Sequence, residues 1–248
     1  MNIQECDILN AIFTTTNPTQ RSLADCSGHS LGIVNRSIKK LTSDGYLTTT
    51  MQPTDKAIAL YKHSVPQNAI ILAAGFGMRM VPINTETPKG LLEIHGEALI
   101  ERIISQLHEA NIHNIYIVVG FMKEQYEYLI DEYGVTLIVN TDYASKNNLH
   151  SLNLASGYLK NSYIIPCDIW CKDNPFHTHE LYSWYMVSDA QTTESSVRVN
   201  RKMELTAISK TAVGNAMIGI SYLSENDSSY IQQRLSSLDD DARYDGAF

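Results

Sequence analysis

Residues Ala69-Ile70-Ile71-Leu72-Ala73-Ala74-Gly75-Phe76-Gly77-Met78-Arg79-Met80 decide how the chain is read. The first six make an unbroken apolar run of strand length, the pattern of a strand buried on both faces of a sheet. Two glycines follow at once, and glycine lets backbone approach a phosphate closely and expose N–H groups to it. Arg79 adds a fixed positive charge with forked donors. Lys89, in the Pro-stiffened run Thr87-Pro88-Lys89, brings a second cation ten residues beyond Arg79. Two other phosphate loops do not fit. A P-loop closes its glycine span with Gly-Lys-Ser/Thr, and a dinucleotide fingerprint needs a third glycine where Met80 stands.

Outward from this stretch, apolar periodicity predicts a strand over 69–74, a helix over 98–110, a strand over 115–120 and a helix over 123–132. A strand over 135–139, a helix over 150–159 and a strand over 162–166 follow. Strands alternating with helices imply an α/β fold with a mostly parallel sheet covered on both faces. Ligands of such sheets gather beyond the carboxyl ends of the strands. Gly75, Phe121, Asn140 and Asp168 each lie just past a predicted strand and are expected on one rim. A carboxylate in the position of Asp168 suits Mg²⁺, which keeps several waters and needs one or two protein oxygens.

The composite of strand, Gly-x-Gly-x-Arg loop and Pro-Lys resembles the nucleotidyltransferases that activate sugar phosphates and alcohol phosphates. Within them it is most similar to the phosphocholine cytidylyltransferases of bacterial choline decoration, from about Asn68 to about Pro175. The likeness includes Ile115 to Gln125, Val139-Asn140, Tyr143-Ala144, Asn147 to Leu152 and Tyr163 to Asp168. It implies a Rossmann-like mixed, mostly parallel sheet and transfer of CMP from CTP to phosphocholine or a related amino-alcohol phosphate. Ala73, Ala74, Gly75, Phe76, Gly77, Met78, Arg79, Lys89, Gly120 and Phe121 would then surround the nucleotide. Arg79, Lys89 and Asp168 would carry catalysis, with Mg²⁺ on Asp168, and Asn147, Asn148, Ser151 and Trp170 would line the acceptor side. On the residues alone, Asn147, Asn148 and Ser151 also read as a polar loop capping the following helix.

Two departures from the family stand out. Its choline cage calls for an aromatic residue near Thr193-Glu194-Ser195-Ser196, where this chain has small polar side chains, so phosphoethanolamine or an aminoalkylphosphonate is an alternative acceptor. A second metal-binding acid is expected in a late Trp-acid segment, near where the chain ends at Arg243-Tyr244-Asp245-Gly246-Ala247-Phe248. Asp245 is the candidate substitute. The nucleotidyltransferase domain, 68–248, is therefore expected to be shortened, with a further kinase or transferase domain beyond it. A sugar-1-phosphate nucleotidyltransferase and a regulator that senses a nucleotide or choline metabolite are the competing readings.

Residues 1–64 carry six Lys or Arg against five Asp or Glu, while the rest of the chain carries 13 against 22. Pro66 discourages helix at Val65 and marks a boundary there. Ile8, Leu9, Ile12 and Phe13 share one helical face, Asn17-Pro18-Thr19 opens a second helix, and Ser30 caps a third with the apolar stripe Leu31, Val34, Ile38 and Leu41. Strands over 46–50 and 57–61 complete a pattern that resembles the winged helix-turn-helix of small bacterial regulators. That likeness implies DNA contacts from Ser30, Asn35, Arg36, Lys39 and Lys40 on the third helix. Such modules also serve in dimerisation or docking, and the near-neutral segment is a weak electrostatic footprint.

Of the 248 residues, 44% are apolar and 19% charged, with a formal charge of −8, a composition that excludes a disordered tail or a disulfide-stapled miniprotein. Neither an apolar run of membrane-span length nor a signal peptide is present, so a cytoplasmic protein without a membrane partner is expected, as a monomer or a homodimer. Four cysteines, Cys6, Cys26, Cys167 and Cys171, fit a reducing compartment. Cys167 and Cys171, with His177 and His179, lack zinc-finger spacing and read as buried thiols.

Overall fold

Alternation sorts the side chains of the first sheet strand. In β1 (Asn68–Ala73), Ala69, Ile71 and Ala73 enter one apolar core while Ile70 and Leu72 point to another. The same alternation holds in β4 (Asn114–Val119), where Ile115, Ile117 and Val119 oppose Val118, and in β6 (Ser162–Pro166), where Tyr163 and Ile165 oppose Ile164. A strand with period-two burial on both faces needs a layer on each side. Helices α5 (Leu99–Glu109) and α6 (Tyr128–Tyr133) supply one layer through Ile100, Ile103, Ile104, Leu107 and Leu129. Helices α7 (Asn148–Leu154) and α8 (Glu225–Ser237) supply the other through Leu149, Leu152, Ile231 and Leu235.

This computed structural model describes residues 1–76, 86–200, 202–209 and 212–237. Gly77, Met78, Arg79 and Asp245 lie outside them. The chain divides into two units: Met1–Val65 with His179–Tyr182, and Pro66–Thr178 with the described residues from Ser183 onward.

In the larger unit six strands run in the order β5-β4-β1-β6-β10-β7, where β5 is Thr136–Val139, β7 Trp184–Thr192 and β10 Gly214–Leu223. The first four are mutually parallel, and β10 pairs antiparallel with both β6 and β7. A short hairpin, β2 (Glu93–Ile94) and β3 (Glu97–Ala98), precedes α5, and a second, β8 (Val197–Val199) and β9 (Leu205–Ala207), lies between β7 and β10. The mixed, mostly parallel α/β sheet is the predicted one. The helix predicted over 150–159 starts earlier and ends sooner, because Asn147 caps it and a 3₁₀ turn, Ser156–Tyr158, replaces its end. The helix predicted over 123–132 likewise opens as a 3₁₀ turn, Lys123–Tyr126.

The smaller unit contains α1 (Ile3–Thr14), α2 (Gln20–Ser27), α3 (Leu31–Ser43) and α4 (Asp55–His63). Asn2 with Glu5, and Thr19 with Ser22, form reciprocal caps on α1 and α2, and Ser30 caps α3. Ile8, Leu9, Ile12, Leu23, Val34, Ile38 and Leu41 meet in its core. The strand expected over 57–61 is instead α4, and the expected strand pair is reduced to one bridge between Leu47 and Pro53. The reason is local: the Thr54 hydroxyl accepts the Ala57 N–H, Asp55 opens the first turn, and Lys62 and His63 close the last, as the helix dipole favours. His179–Tyr182 completes this unit. The His179 ring stacks at 3.9 Å on Tyr61, the Glu180 N–H donates to Ser64 O at 2.8 Å, and the Tyr182 hydroxyl donates to Asp7 Oδ1 at 2.9 Å.

Candidate active site

The parallel ladder continues one step past its strands. Phe121 N–H donates to Ala74 O at 3.2 Å, Asn140 N–H to Val119 O at 2.8 Å, and Cys167 N–H to Leu72 O at 3.3 Å. These bonds align the ends of β1, β4, β5 and β6, so Gly75, Phe121, Asn140 and Asp168 share one rim. Gly75 is exposed, and a side chain there would meet nothing within 4 Å among the described residues. Phe76 and Phe121 meet edge to face with centroids 4.4 Å apart, and Tyr143 lies 6.4 Å from Phe121. Gly120 has no room for a side chain, since a Cβ would sit 2.6 Å from Tyr143 Cβ and 2.9 Å from Ala74 O.

Lys89 enters the rim from a 3₁₀ turn, Lys89–Leu91, that follows Pro88. Its Nζ donates to Asp168 Oδ2 at 2.9 Å, joining residues 79 apart in sequence. Both side chains are partly open to solvent, 23% and 36% exposed. The approach to Lys89 is tied down by Gln125, whose Nε2 donates to Glu86 O at 3.0 Å. Beneath the pair lies Cys167, buried, with a thiol that burial pushes up to about 12. Beside Cys167 lies the fully buried Tyr126.

The residues expected on the acceptor side separate into different roles. Asn147 Oδ1 accepts the Leu149 N–H at 3.0 Å and so caps α7, as the local reading of the loop expects. Asn148 is exposed on the first turn. Ser151 faces inward instead of lining the rim: it is 3% exposed, and its Oγ accepts from Asn140 Nδ2 at 3.0 Å. Asn140, 1% exposed, also accepts the Asp142 N–H at 2.9 Å, so it braces the loop that leaves β5. Trp170 is half-buried between the His95 ring, 5.3 Å away, and the Arg102 guanidinium, 5.7 Å from its ring centroid. At 193–196, Ser195 is buried in the turn before β8, its hydroxyl donating to Val197 O.

Sequence reasoning missed Tyr126 and Gly90, and quoted Tyr143 in the resemblance without giving it a role. Nothing in their local pattern sets them apart from core or loop residues; their significance comes from what the fold packs against them.

Comparison with known proteins agrees with this geometry. Residues 69–200 match the family of the MobA-like NTP transferase domain. The choline-phosphate cytidylyltransferase of Haemophilus influenzae is 44% identical over 118 residues, 48% of this chain and 51% of that protein. The 2-aminoethylphosphonate cytidylyltransferase of Lancefieldella rimae is 42% identical over 102 residues, 41% of this chain and 42% of that one. The chain thus spans about half the length, or less, of these curated relatives. The solved CTP:phosphocholine cytidylyltransferase of Streptococcus pneumoniae superposes with a TM-score of 0.65 at 34% identity, covering 69% of this chain and 77% of that one. With the parallel sheet, the strand-end rim and the matched 69–200 stretch in agreement, the chain belongs to the MobA-like NTP transferase family, close to the choline-phosphate cytidylyltransferases.

Proposed function

We propose that the larger unit transfers CMP from CTP to the phosphate of an amino alcohol, phosphocholine first among them, and releases pyrophosphate. The observation that carries this reading is the Lys89–Asp168 pair, a cation and a carboxylate 2.9 Å apart on the rim that also bears the open Gly75. A phosphate oxygen of the acceptor attacks the α-phosphorus of CTP, and the bond to the β-phosphate oxygen breaks as pyrophosphate leaves with its electron pair. Such chemistry needs alignment and charge stabilisation more than covalent help, so no Ser, Cys or His nucleophile is required.

Backbone N–H groups from Gly75 to Met78, with Arg79, hold the triphosphate. Ala73, Ala74, Phe76, Gly120 and Phe121 frame the nucleotide, and Lys89 stabilises charge that develops on the α-phosphate. The donor set fits Mg²⁺: among the described residues no cluster of three metal-ligating side chains exists, but a hard cation shared with phosphates asks for one or two carboxylate oxygens, and Asp168 offers them on an exposed rim. When bound there, Mg²⁺ neutralises phosphate charge. In this reading Asn148, Trp170 and the capping Asn147 are the acceptor-side residues, with Ser151 acting through Asn140.

Pyrophosphate release from each nucleoside triphosphate with Mg²⁺ tests the reading. The acceptors are phosphocholine, phosphoethanolamine, 2-aminoethylphosphonate and glucose 1-phosphate, with Asp168→Ala as control. Release with CTP and one amino-alcohol acceptor, lost in the control, is expected. Preference for glucose 1-phosphate would move the assignment to a sugar nucleotidyltransferase, and CTP binding without turnover would move it to a sensor.

For the smaller unit we propose a helix-turn-helix role in which α3 reads DNA. Its support is the tight turn after α2, with Gly28 left-handed at φ 69°, and the exposure of Arg36, Lys39 and Lys40 along α3 beside the cap Ser30 and Asn35. A salt-dependent gel shift abolished by Arg36→Ala and Lys39→Ala is expected. A concentration-dependent dimer with no shift would assign the unit to self-association instead.

A further inference from the structure

Tyr126 carries a polar atom that the fold does not use. Its side chain is fully buried, and its hydroxyl is sealed from solvent without a hydrogen-bond partner among the described residues. Burial acts on it most strongly, Cys167 and Asp168 are among its charged neighbours, and the approach of the Gly90 backbone N–H, short of hydrogen-bond geometry, is the influence that opposes them. A buried phenol in this state works against folding, because its water partners are lost and not replaced; phenylalanine, which lacks the oxygen, would not carry that cost.

The position of the hydroxyl gives the reason to keep it. Gly90 follows Lys89 and Cys167 precedes Asp168, so these two neighbours carry the site's cation and its carboxylate. A Cβ on Gly90 would lie 3.1 Å from the Tyr126 hydroxyl oxygen, 3.2 Å from Cys167 Cβ and 3.4 Å from Tyr126 Cε1. The oxygen therefore crowds the place that a side chain at position 90 would take, between the turn that presents Lys89 and the strand end that presents Asp168. We infer that Tyr126 is a positioning residue: its hydroxyl fills the gap at Gly90 and sets the spacing of Lys89 and Asp168 for phosphoryl transfer. This rests on the nucleotidyltransferase reading proposed above.

The inference makes a reciprocal-size test possible in the full chain. Tyr126→Phe empties the gap and Gly90→Ala overfills it, whereas the double variant exchanges a hydroxyl for a methyl. Three readouts are taken: thermal unfolding, kcat and KM for CTP, and the rate at which trace acetic anhydride acylates Lys89, followed by mass spectrometry. A displacement of a few tenths of an ångström at a reacting centre lowers kcat by about tenfold. That loss is expected in each single variant, with KM for CTP little changed, faster acylation of Lys89, and activity within about threefold of the parent in the double variant.

Tyr126→Phe is expected to unfold no lower than the parent, since an unpartnered buried hydroxyl has been removed. A purely structural tyrosine would instead lower the unfolding temperature and leave Lys89 acylation alone. Unchanged acylation and kcat in Tyr126→Phe, or a double variant no better than Gly90→Ala, overturns the inference. If Tyr126→Phe does not fold, Gly90→Ala and Gly90→Ser must still expose Lys89 to acylation in order of size. Absence of turnover in the parent refutes the catalytic reading, while the acylation series separately decides whether Tyr126 spaces Lys89 from Asp168.

Discussion

Two glycines on the rim are expected to respond to the same substitution in opposite ways. In Gly120→Ala the new methyl would lie 2.6 Å from Tyr143 Cβ, 2.8 Å from Tyr143 Cγ and 2.9 Å from Ala74 O. Carbon atoms at rest in contact stand about 3.5–4.0 Å apart, so the overlap is about an ångström. Ala74 O cannot retreat cheaply, because it accepts the Phe121 N–H at 3.2 Å and continues the β1–β4 ladder. Tyr143 must move, and overpacking of this kind costs about 1–3 kcal/mol. Against this, alanine restricts the unfolded chain and returns about 0.4–1 kcal/mol. That return is available because Gly120 is not among the positive-φ glycines. The overlap wins. The net cost is about 0–2.6 kcal/mol, so at about 2–4 °C per kcal/mol for a unit of this size the unfolding temperature should fall by up to about 10 °C.

Gly75→Ala is the counterpart. Its methyl meets nothing within 4 Å among the described residues, so thermal unfolding should be unchanged or slightly raised. Binding of Mg²⁺ with CTP, measured by calorimetry, should weaken, because the methyl occupies the side from which a phosphate approaches. Tyr143→Gly in the Gly120→Ala background should recover part of the lost stability, and Tyr143→Ala should not, since the nearest clashing atom is Tyr143 Cβ itself. A Gly120→Ala protein that unfolds at or above the parent temperature would refute the packing argument. Equal CTP affinity in Gly75→Ala would refute the phosphate approach at that glycine.

Asn140→Ala should cost about 1–3 kcal/mol in urea unfolding, because the bonds to Ser151 Oγ and the Asp142 N–H are lost and buried groups are left unpaired; an unchanged midpoint would show that water replaces them. Among the cysteines, exposed Cys26 should react with a thiol reagent in the folded protein. Cys6 and Cys167, buried and pushed up to about 11 and about 12, should react only after denaturation, and early labelling of Cys167 would contradict its burial. Tyr182→Phe removes the bond to Asp7 and should destabilise α1 by about 0.5–1.5 kcal/mol, read as faster amide exchange in that helix. Unaltered exchange would separate His179–Tyr182 from the stability of the smaller unit.

The parallel half of the sheet was legible because burial on both faces leaves an unbroken apolar run. Strand 162–166 was read to the residue, and 69–74 within one position. The antiparallel half was not legible, and the geometry says why. β7 is half-exposed along its length, and its pairing with β10 shifts register between Asn215 and Met217 and again between Met217 and Ser221. Each shift breaks the period-two signal on which such a reading depends. At Gly219, with φ 103°, β10 passes so close to Pro166 that a Cβ would sit 2.6 Å from Pro166 Cγ. The bend depends on a glycine whose need arises from a proline 53 positions earlier.

The site divides in the same way. Gly75, Lys89 and Asp168 were legible as types in a pattern, since each sits where an exposed strand end or a Pro-stiffened turn leaves a local mark. Their mutual placement was not, because the 2.9 Å contact between Lys89 and Asp168 is set by how β1 pairs with β6 and by what fills the space under Gly90. Ser151 shows the converse. The family resemblance marked it as an acceptor contact, yet on α7 it is buried together with Leu149 and Leu152. Burial, and not residue type, decides that its hydroxyl meets Asn140. A polar residue near a strand-end rim therefore has to be assigned by its burial and its partners before its chemistry is counted toward the site, and by that criterion Ser151 is a brace for Asn140, whereas Asn148 is exposed to solvent.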